Sequence, residues 1–269
     1  MYGAVDIGGT KTLIAVFDKD GTVIEKIKFL TPKEYPDFSK ELAVNVAKLS
    51  TKDFQKTVVA IPGTPDRERG IGLIFGNLPW VNVPVEEDVE KIMNCPVRIE
   101  NDSKLAAISE AVQLKGEFRK VLYITVSTGI SGGLVVDGTL DPALQDIEPG
   151  KMTLEHQGRF EQWEDFASGR AIYAKYGKKA EEITDAEIWY VIARNLAVGI
   201  NTLIATLHPD VIVIGGGVGV HLEKFQDRLE EQLKIYEHPM NPVPPIRKAI
   251  RAEEAVIYGC FELAKSRNG

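Results

Sequence analysis

A carboxylate followed by two glycines is the first motif in the sequence that could carry chemistry. The motif comprises Asp6, Ile7, Gly8, Gly9, Thr10 and Lys11. Glycines in a tight turn let backbone N–H groups approach a phosphate closely, and a threonine hydroxyl can add a donor. A carboxylate at a strand end can hold a hydrated Mg²⁺ that also binds phosphates. The motif is a candidate phosphate and Mg²⁺ site, although a plain hairpin turn explains a single glycine motif equally well.

A second glycine-rich turn lies in the other half of the chain, where Ser127, Thr128 and Gly129 lead into residues 130–133. Both motifs lie between apolar runs, and each is followed by an Asp-Gly pair that favours another hairpin turn. This weak internal repeat predicts two lobes that face each other across a cleft. Two phosphate-holding hairpins suit a nucleoside triphosphate, so an ordinary turn is a weaker explanation here than for the first motif.

Three consecutive glycines, Gly215, Gly216 and Gly217, follow the apolar run 211–214. A buried strand that runs into glycines permits close backbone approach to a flat ring or a ribose, which predicts a nucleotide contact. The alternative is a tight strand-to-helix turn without a ligand.

A carboxylate at the end of another strand is the candidate general base. Asp102 follows Asn101 and the stretch 95–99. It could take a proton from an acceptor hydroxyl while Asn101 binds a neighbouring hydroxyl. The alternative is that Asp102 only N-caps the helix predicted over 103–112. Taken alone, this motif favours the cap.

A polar stretch offers carboxylates that suit the recognition of several hydroxyls. It contains Glu148, Lys151, Glu155, His156 and Glu164. A solvated loop is the alternative and is favoured for Glu155, since most charged residues are simply exposed. No cysteine lies near His156 in the sequence, so we assign no metal site to it.

The elements that position these motifs alternate between strands and helices. Apolar runs rich in β-branched residues predict buried strands over 57–61, 97–99, 121–126 and 211–214. Apolar residues at helical spacing predict helices over 37–49, 85–93, 185–207 and 253–265, the third with a capping box of Thr184 and Glu187. This alternation predicts an α/β architecture with mainly parallel sheets. We expect an N-terminal lobe of residues 1–112 with a closing helix 253–269, and a C-terminal lobe of residues 113–252.

Composition narrows the class of protein. The chain has 269 residues and a net charge of −7, without a long basic run. Nucleic acid and anionic membranes fit poorly as partners, because phosphate backbones need a positive stripe. Two cysteines cannot form a disulfide framework and fit a reducing cytosol. We expect neither a signal peptide nor a membrane-spanning run, and hence a cytoplasmic protein.

In this order and spacing, the motifs resemble the ROK family (repressor, open reading frame, kinase), and within it the glucokinase-like sugar kinases. The resemblance covers nearly the whole chain and is also carried by Ile61-Pro62-Gly63, Asn77-Leu78-Pro79, Glu148-Pro149-Gly150-Lys151, Ala167-Ser168-Gly169 and His208-Pro209-Asp210. It implies an actin-like ATPase (ribonuclease H-like) fold with two lobes around a central cleft for sugar and ATP, often in a homodimer. It implies that Asp102 is the general base. It also implies a sugar site lined by Gly63, Asn77, Asn101, Glu148 and Glu164.

Two departures from the family pattern concern the loop after Glu148. The family usually has histidine where Lys151 stands, followed by a cysteine cluster that binds zinc. The corresponding stretch 156–163 has no cysteine, so we expect no zinc. Lys151 would pair with a nearby carboxylate such as Glu148 or Glu155. The side chains available to pack the loop are Phe160, Trp163 and Phe166. Similar zinc-free loops occur in polyphosphate-using glucokinases of the family, which leaves the phosphoryl donor open.

We therefore predict a sugar kinase that uses ATP and Mg²⁺ to phosphorylate a hexose hydroxyl, with the 6-OH of glucose preferred. Alternatives are a polyphosphate-dependent glucokinase, a kinase of mannose or N-acetylmannosamine, and, from a different class, a sugar-binding protein without catalysis. A repressor of the same family would carry a DNA-binding domain ahead of Asp6. Only five residues stand there, so we expect no such domain.

Overall fold

The computed structural model describes residues 1–251 and 254–266. The strands are β1 (Tyr2–Ile7), β2 (Lys11–Phe17), β3 (Val23–Leu30), β4 (Lys56–Ile61), β5 (Gly63–Asp66), β6 (Ile71–Phe75), β7 (Val81–Val83), β8 (Val97–Asn101), β9 (Lys120–Val126), β10 (Ile130–Val136), β11 (Thr139–Leu140), β12 (Thr153–His156), β13 (Arg159–Gln162), β14 (Val211–Gly215) and β15 (Ile246–Lys248). The helices are α1 (Tyr35–Ala47), α2 (Val85–Met93), α3 (Asp102–Gln113), α4 (Trp163–Ala167), α5 (Gly169–Tyr176), α6 (Ala186–Leu207), α7 (Gly216–Gly219), α8 (Gln226–Lys234) and α9 (Ala255–Lys265). Of the predicted closing helix, Glu253 and residues 267–269 lie outside the described residues, as does Ala252.

The first of two compact units comprises Met1–Ser109 and Glu254–Gly269. Its main sheet has the strand order β3-β2-β1-β4-β8, in which β1, β4 and β8 run parallel. Strand β4 is almost wholly buried, as a central parallel strand must be, whereas β3 at the edge alternates between half-buried and exposed side chains. Strands β5, β6 and β7 form a separate small sheet.

The second unit comprises Glu110–Glu253. Its main sheet has the order β11-β10-β9-β14-β15, and β9, β14 and β15 run parallel. Counted from the antiparallel edge, this order repeats that of the first unit, so each unit begins with an antiparallel meander and continues with parallel strands. Strands β12 and β13 form a two-stranded hairpin of their own.

Helix ends differ from the sequence predictions where local capping decides. Helix α2 spans the predicted range. Helix α1 begins two residues before the predicted start, with Pro36 in its first turn, where a missing N–H has no cost. At α6 the predicted capping box is wrong, since the carboxylate of Asp185, and not the Thr184 hydroxyl, accepts the N–H of Glu187.

Helix α6 is the core helix of the second unit. It is also long and apolar enough, by length and composition, to cross a membrane, which the sequence prediction had not anticipated. Ten of its residues are nevertheless buried, among them Trp189, Leu196 and Ile200. It packs with strands β9, β10 and β14 in one apolar cluster, and burial in such a core accounts for its composition.

Trp163 fixes the start of α4 against α6. Its ring is fully buried, and its Nε1 donates a hydrogen bond to the Asn195 carbonyl at 3.2 Å. The indole lies against the backbone at Gly199, where an added Cβ would overlap the ring. Gly199 is therefore a packing requirement within a long helix.

We expect Gly199→Ala to destabilise the protein, although alanine is normally the better helix former. Overpacking a filled site costs about 1–3 kcal/mol. Urea unfolding followed by circular dichroism measures the change. The control is Ala205→Gly at an exposed position of the same helix, where a loss of about 0.5–1 kcal/mol is expected from propensity alone. A Gly199→Ala protein at least as stable as the parent would contradict this packing.

Candidate functional site

The carboxyl ends of three parallel strands bring the candidate residues of the first unit to one edge of its sheet. Asp6 pairs with Ala60 in the register of β1 and β4, and Ala60 pairs with Glu100 in that of β4 and β8. The glycine turn after β1, Gly63 after β4, and Asp102 after β8 consequently lie at the same edge. Ligand sites in α/β sheets favour this edge.

The glycine turn between β1 and β2 is held by backbone and threonine hydrogen bonds. The N–H of Gly8 donates to the Lys11 carbonyl at 3.0 Å, and the Thr31 hydroxyl donates to the Gly8 carbonyl at 2.8 Å. A Cβ on Gly9 would lie 2.6 Å from the Asn77 Cβ, so glycine is needed for Asn77 to approach the turn. The side chains of Thr10 and Lys11 are exposed.

Asn101 performs the capping that the sequence alternative gave to Asp102. Its Oδ1 accepts the N–H groups of Ser103 at 3.0 Å and Lys104 at 3.3 Å, and the Ser103 hydroxyl at 2.6 Å. Its Nδ2 donates to the Gly63 carbonyl at 2.9 Å. Asn101 is thus mainly committed to the fold, and one amide hydrogen is left for a ligand.

Asp102 is the first residue of α3 and is partly buried. Its Oδ1 accepts the N–H of Ser103 at 2.7 Å. The pKa of the nearby Asp6 is raised to about 7, chiefly by burial and next by the negative charge of Asp102, while Lys28 acts to lower it. Two carboxylates that disfavour each other's ionisation form a site that a cation would stabilise.

This pair of carboxylates suits Mg²⁺, which does not need a dedicated protein cage. Among the described residues there is no group of three or more histidine, cysteine or acidic side chains that could hold a metal. Mg²⁺ is commonly held by one or two carboxylates together with water and phosphates. Asp6 is therefore the residue that could hold it, with the phosphoryl donor completing the coordination.

The glycine-rich turn of the second unit is tied to the start of α5. The N–H of Ser127 donates to the Gly129 carbonyl at 2.9 Å, and the N–H of Gly169 donates to the Ser127 carbonyl at 2.7 Å. The N–H of Arg170 reaches the Thr128 carbonyl at 3.4 Å. The side chains of Ser127 and Thr128 are exposed, so the turn offers its hydroxyls to solvent.

The three glycines after β14 are not equivalent. Gly216 has a φ of +81°, and a Cβ there would lie 2.5 Å from the Val126 carbonyl oxygen. A Cβ on Gly215 would lie 2.5 Å from the Tyr123 hydroxyl oxygen. Both are needed for the turn itself, as the sequence alternative held. No atom lies within 4 Å of a Cβ built on Gly217, so this position is open to a ligand.

Glu164 is the centre of the polar cluster in the second unit and is only 8% exposed. Lys151 Nζ donates to its Oε1 at 2.6 Å, and the N–H of Ile130 donates to its Oε2 at 3.3 Å. The Arg170 guanidinium lies 3.5 Å from Oε1. A Cβ on Gly129 would approach Oε2 to 2.8 Å, so the glycine turn and Glu164 are in direct contact.

The polar loop folds over the same hairpin. The Ser131 hydroxyl donates to Glu148 Oε2 at 3.0 Å. Gly150 lies so close to the Ile130 carbonyl that a Cβ would overlap it. The structure thus brings Glu148, Lys151 and Glu164 together around strand β10. The prediction that Lys151 pairs with Glu148 or Glu155 missed its main partner, which is Glu164.

The β12–β13 hairpin occupies the stretch in which the family pattern would place a zinc-binding cysteine cluster. The His156 ring stacks on Phe166 with ring centroids 4.1 Å apart, and its Nδ1 lies 3.7 Å from Glu161 Oε1. These contacts do not resemble a tetrahedral thiolate site. Trp163 and Phe166 are buried as predicted, but Phe160 is 79% exposed, so its expected packing role is wrong.

Comparison with known proteins identifies the family. The model of the ROK family matches residues 2–267. The chain belongs to the ROK family. Fructokinase of Zymomonas mobilis is 32% identical over 241 residues, which cover 81% of this chain and 80% of that protein. N-acetylmannosamine kinase of Vibrio cholerae is 29% identical over 272 residues, which cover 89% of this chain and 92% of that kinase.

A solved structure shares the fold of this ROK protein. The ROK family glucokinase of Streptomyces griseus, in complex with glucose and AMPPNP, matches with a TM-score of 0.81 and 24% identity, covering 100% of this chain and 99% of the glucokinase. The predicted family and the predicted actin-like ATPase fold are confirmed, and the relatives confirm the enzyme class, a sugar kinase.

Sequence reasoning missed two arginines of these clusters. Arg170 follows directly on the Ser168-Gly169 helix start, a position from which its side chain reaches Glu164. Arg67 contacts Glu100, the residue before Asn101. A basic residue just inside a helix start was the available signal for Arg170, whereas nothing local marked Arg67.

The raised pKa of Asp6 predicts a specific pH dependence. The folded protein keeps the Asp6 proton up to a pKa of about 7, whereas the ordinary value is 3.8. The folded state binds more protons between these values, so this group makes stability fall as the pH rises from about 4 to about 7. Asp6→Asn removes that contribution. We compare the free energy of unfolding of Asp6→Asn with that of the wild type at each pH. This difference should favour the variant by roughly 1–2 kcal/mol more at about pH 8 than at about pH 4, a range already reduced for the partial exposure of Asp6.

Urea unfolding of both proteins without Mg²⁺, across this pH range, measures the difference. All other titrating groups are shared, so the two curves should diverge through Asp6 and its interaction with Asp102. Parallel curves would show that Asp6 titrates near its ordinary pKa.

Proposed function

We propose that this ROK protein is an ATP-dependent hexose kinase that phosphorylates the 6-OH of glucose, with Asp102 as general base. The observation that carries the proposal is the position of Asp102, which begins α3 beside the glycine turn and Asp6 at one sheet edge. Its capping task is largely taken by Asn101. Named relatives that phosphorylate hexoses and their derivatives support the substrate class.

In the proposed reaction the sugar hydroxyl gives its proton to an Asp102 carboxylate oxygen. The hydroxyl oxygen forms a bond to the terminal phosphorus as the bond from that phosphorus to the bridging oxygen breaks, and ADP leaves with the electron pair. Asp6 would hold Mg²⁺, whose positive charge would offset the negative charge of the phosphates. The N–H groups of the Gly8–Gly9 turn add fixed dipoles directed at the same charge.

The second unit contributes recognition in this proposal. The Ser127–Gly129 turn offers hydroxyl and N–H donors to phosphates, and Gly217 leaves room for the base or ribose. In this unit, Glu148, Lys151 and Glu164 are the residues proposed to bind sugar hydroxyls. In the first unit, they are Gly63, Asn77 and Asn101. A dedicated zinc ion has no part in the proposal, and a cytoplasmic homodimer with small-molecule partners is its expected setting.

A panel of hexoses crossed with ATP and polyphosphate as donors tests this function. We expect glucose 6-phosphate from ATP in the wild type, and a loss of kcat of about 100-fold or more in Asp102→Asn with sugar binding retained. The matched control is Glu68→Gln, the same acid-to-amide change at an exposed position of the first unit, which should leave kcat unaltered. Near-normal kcat in Asp102→Asn would refute the assignment of the base.

Lys151 is the position where we expect sugar preference to be set. Its ammonium offers three donors and no acceptor, and it already engages Glu164 at 2.6 Å. Lys151→Ala releases an acceptor oxygen of Glu164 and removes a donor from the same spot. Since unpaired buried groups discriminate strongly among substrates, the ranking of sugars by kcat/KM should change by about 10-fold or more, while KM for the donor changes little.

Exposed Lys178 provides the control, since Lys178→Ala removes the same charge from the same unit away from Glu164. The same sugar panel measures both variants. An unaltered sugar ranking in Lys151→Ala would show that the lysine does not select the sugar.

A further inference from the structure

Arg67 and Glu100 form a two-point ion pair behind the proposed base. Arg67 lies in the turn between β5 and β6, and Glu100 lies near the end of β8. The guanidinium donates from Nε to Oε2 at 2.7 Å and from Nη2 to Oε1 at 2.6 Å. The side chains are 22% and 5% exposed, respectively. Such parallel hydrogen bonds fix both the distance and the orientation of the two groups.

The same carboxylate also holds the backbone that leads to Asp102. Glu100 Oε1 accepts the N–H of Asn101 at 2.7 Å, and Asn101 Nδ2 donates to the Gly63 carbonyl at 2.9 Å. Gly63, the first residue of β5, is thus hydrogen-bonded to Asn101. Arg67, just past the end of β5, is paired with Glu100. Both contacts are made by the two residues directly before Asp102.

A role in stability alone explains this pair poorly. Removing charges from water costs so much that a buried ion pair is commonly no more stabilising than apolar residues of similar volume. An apolar pair would nevertheless leave the Asn101 N–H without its carboxylate acceptor. The geometry therefore points to a need for this carboxylate, held in this place and neutralised, two residues from Asp102.

We propose that Arg67 is a positioning residue for phosphoryl transfer: it clamps Glu100, which fixes the backbone carrying Asp102. This inference rests on the proposed function, because it takes Asp102 as the base. Arg67 acts through Glu100, and no direct contact with substrate is required of it.

The experiment is the measurement of kcat for the wild type, Arg67→Ala, Glu100→Gln and the double variant, each shown to be folded by circular dichroism. In Arg67→Ala we expect kcat to fall about 10- to 100-fold, because small displacements of a catalytic group have effects of this size. Since Arg67 acts through Glu100, the two losses should not add, and the kcat of the double variant should be about that of the poorer single variant.

Arg69→Ala is the matched control, since Arg69 is in the same turn, is 69% exposed on its side chain, and pairs only loosely with Asp66 at 3.8 Å. It should reproduce the wild-type kcat. An Arg67→Ala enzyme with wild-type kcat would overturn the proposal, as would losses in kcat that add in the double variant.

If Arg67→Ala does not fold by circular dichroism, Arg67→Lys decides. Lysine keeps the charge but loses the two-point geometry. A lowered kcat supports the clamp, and an unaltered kcat overturns it. Failure of the proposed function looks different, since the wild type would then phosphorylate no sugar of the panel with either donor.

Discussion

The register of the parallel strands is the constraint on which the remaining features depend. In the first unit, Asp6, Ala60 and Glu100 stand side by side on β1, β4 and β8, so everything that follows these strands emerges at one edge. In the second unit, Thr125 stands beside Gly215 on β9 and β14, which brings the Ser127–Gly129 turn next to the three glycines. A slip of one residue would turn every side chain to the other face. The core fixes the register, and the register assembles the candidate residues.

Within the second unit, one buried carboxylate contacts both the proposed donor turn and the proposed sugar loop. Glu164 accepts the N–H of Ile130, directly after the proposed donor turn, and the ammonium of Lys151, in the proposed sugar loop. Gly129 must be glycine because this carboxylate lies against it. Trp163 is buried beside α6 and fixes the position of the next residue, Glu164. The packing of a helix core therefore sets the spacing between the groups proposed to bind the sugar and the donor.

The sequence predicted what local chemistry determines. Asp6, the glycine turns and Asp102 follow apolar runs that had to be buried strands, and their placement at strand ends needed no distant partner. The pairing of Lys151 with Glu164 could not be predicted, because the register of β12 and β13 decides which carboxylate returns to the lysine. The pair of Arg67 and Glu100 spans 33 positions and depends on β5 lying beside β8, which no periodicity encodes. The packing role predicted for Phe160 was wrong for a related reason, since a two-stranded hairpin leaves one of its faces to solvent.

The division of tasks between Asn101 and Asp102 is the strongest physical argument for chemistry at this edge. Once Asn101 caps α3, a second polar residue at the next position is not required to start the helix. Asp102 even has an electrostatic cost, because its negative charge disfavours the ionised form of Asp6 and helps to raise the pKa of Asp6. A neutral residue at 102 would remove that repulsion at no loss of the Asn101 cap. Proteins break such local rules mainly where function requires it. In the proposed function, Mg²⁺ held by Asp6 would offset this repulsion, and Asp102 would accept the proton of the sugar hydroxyl.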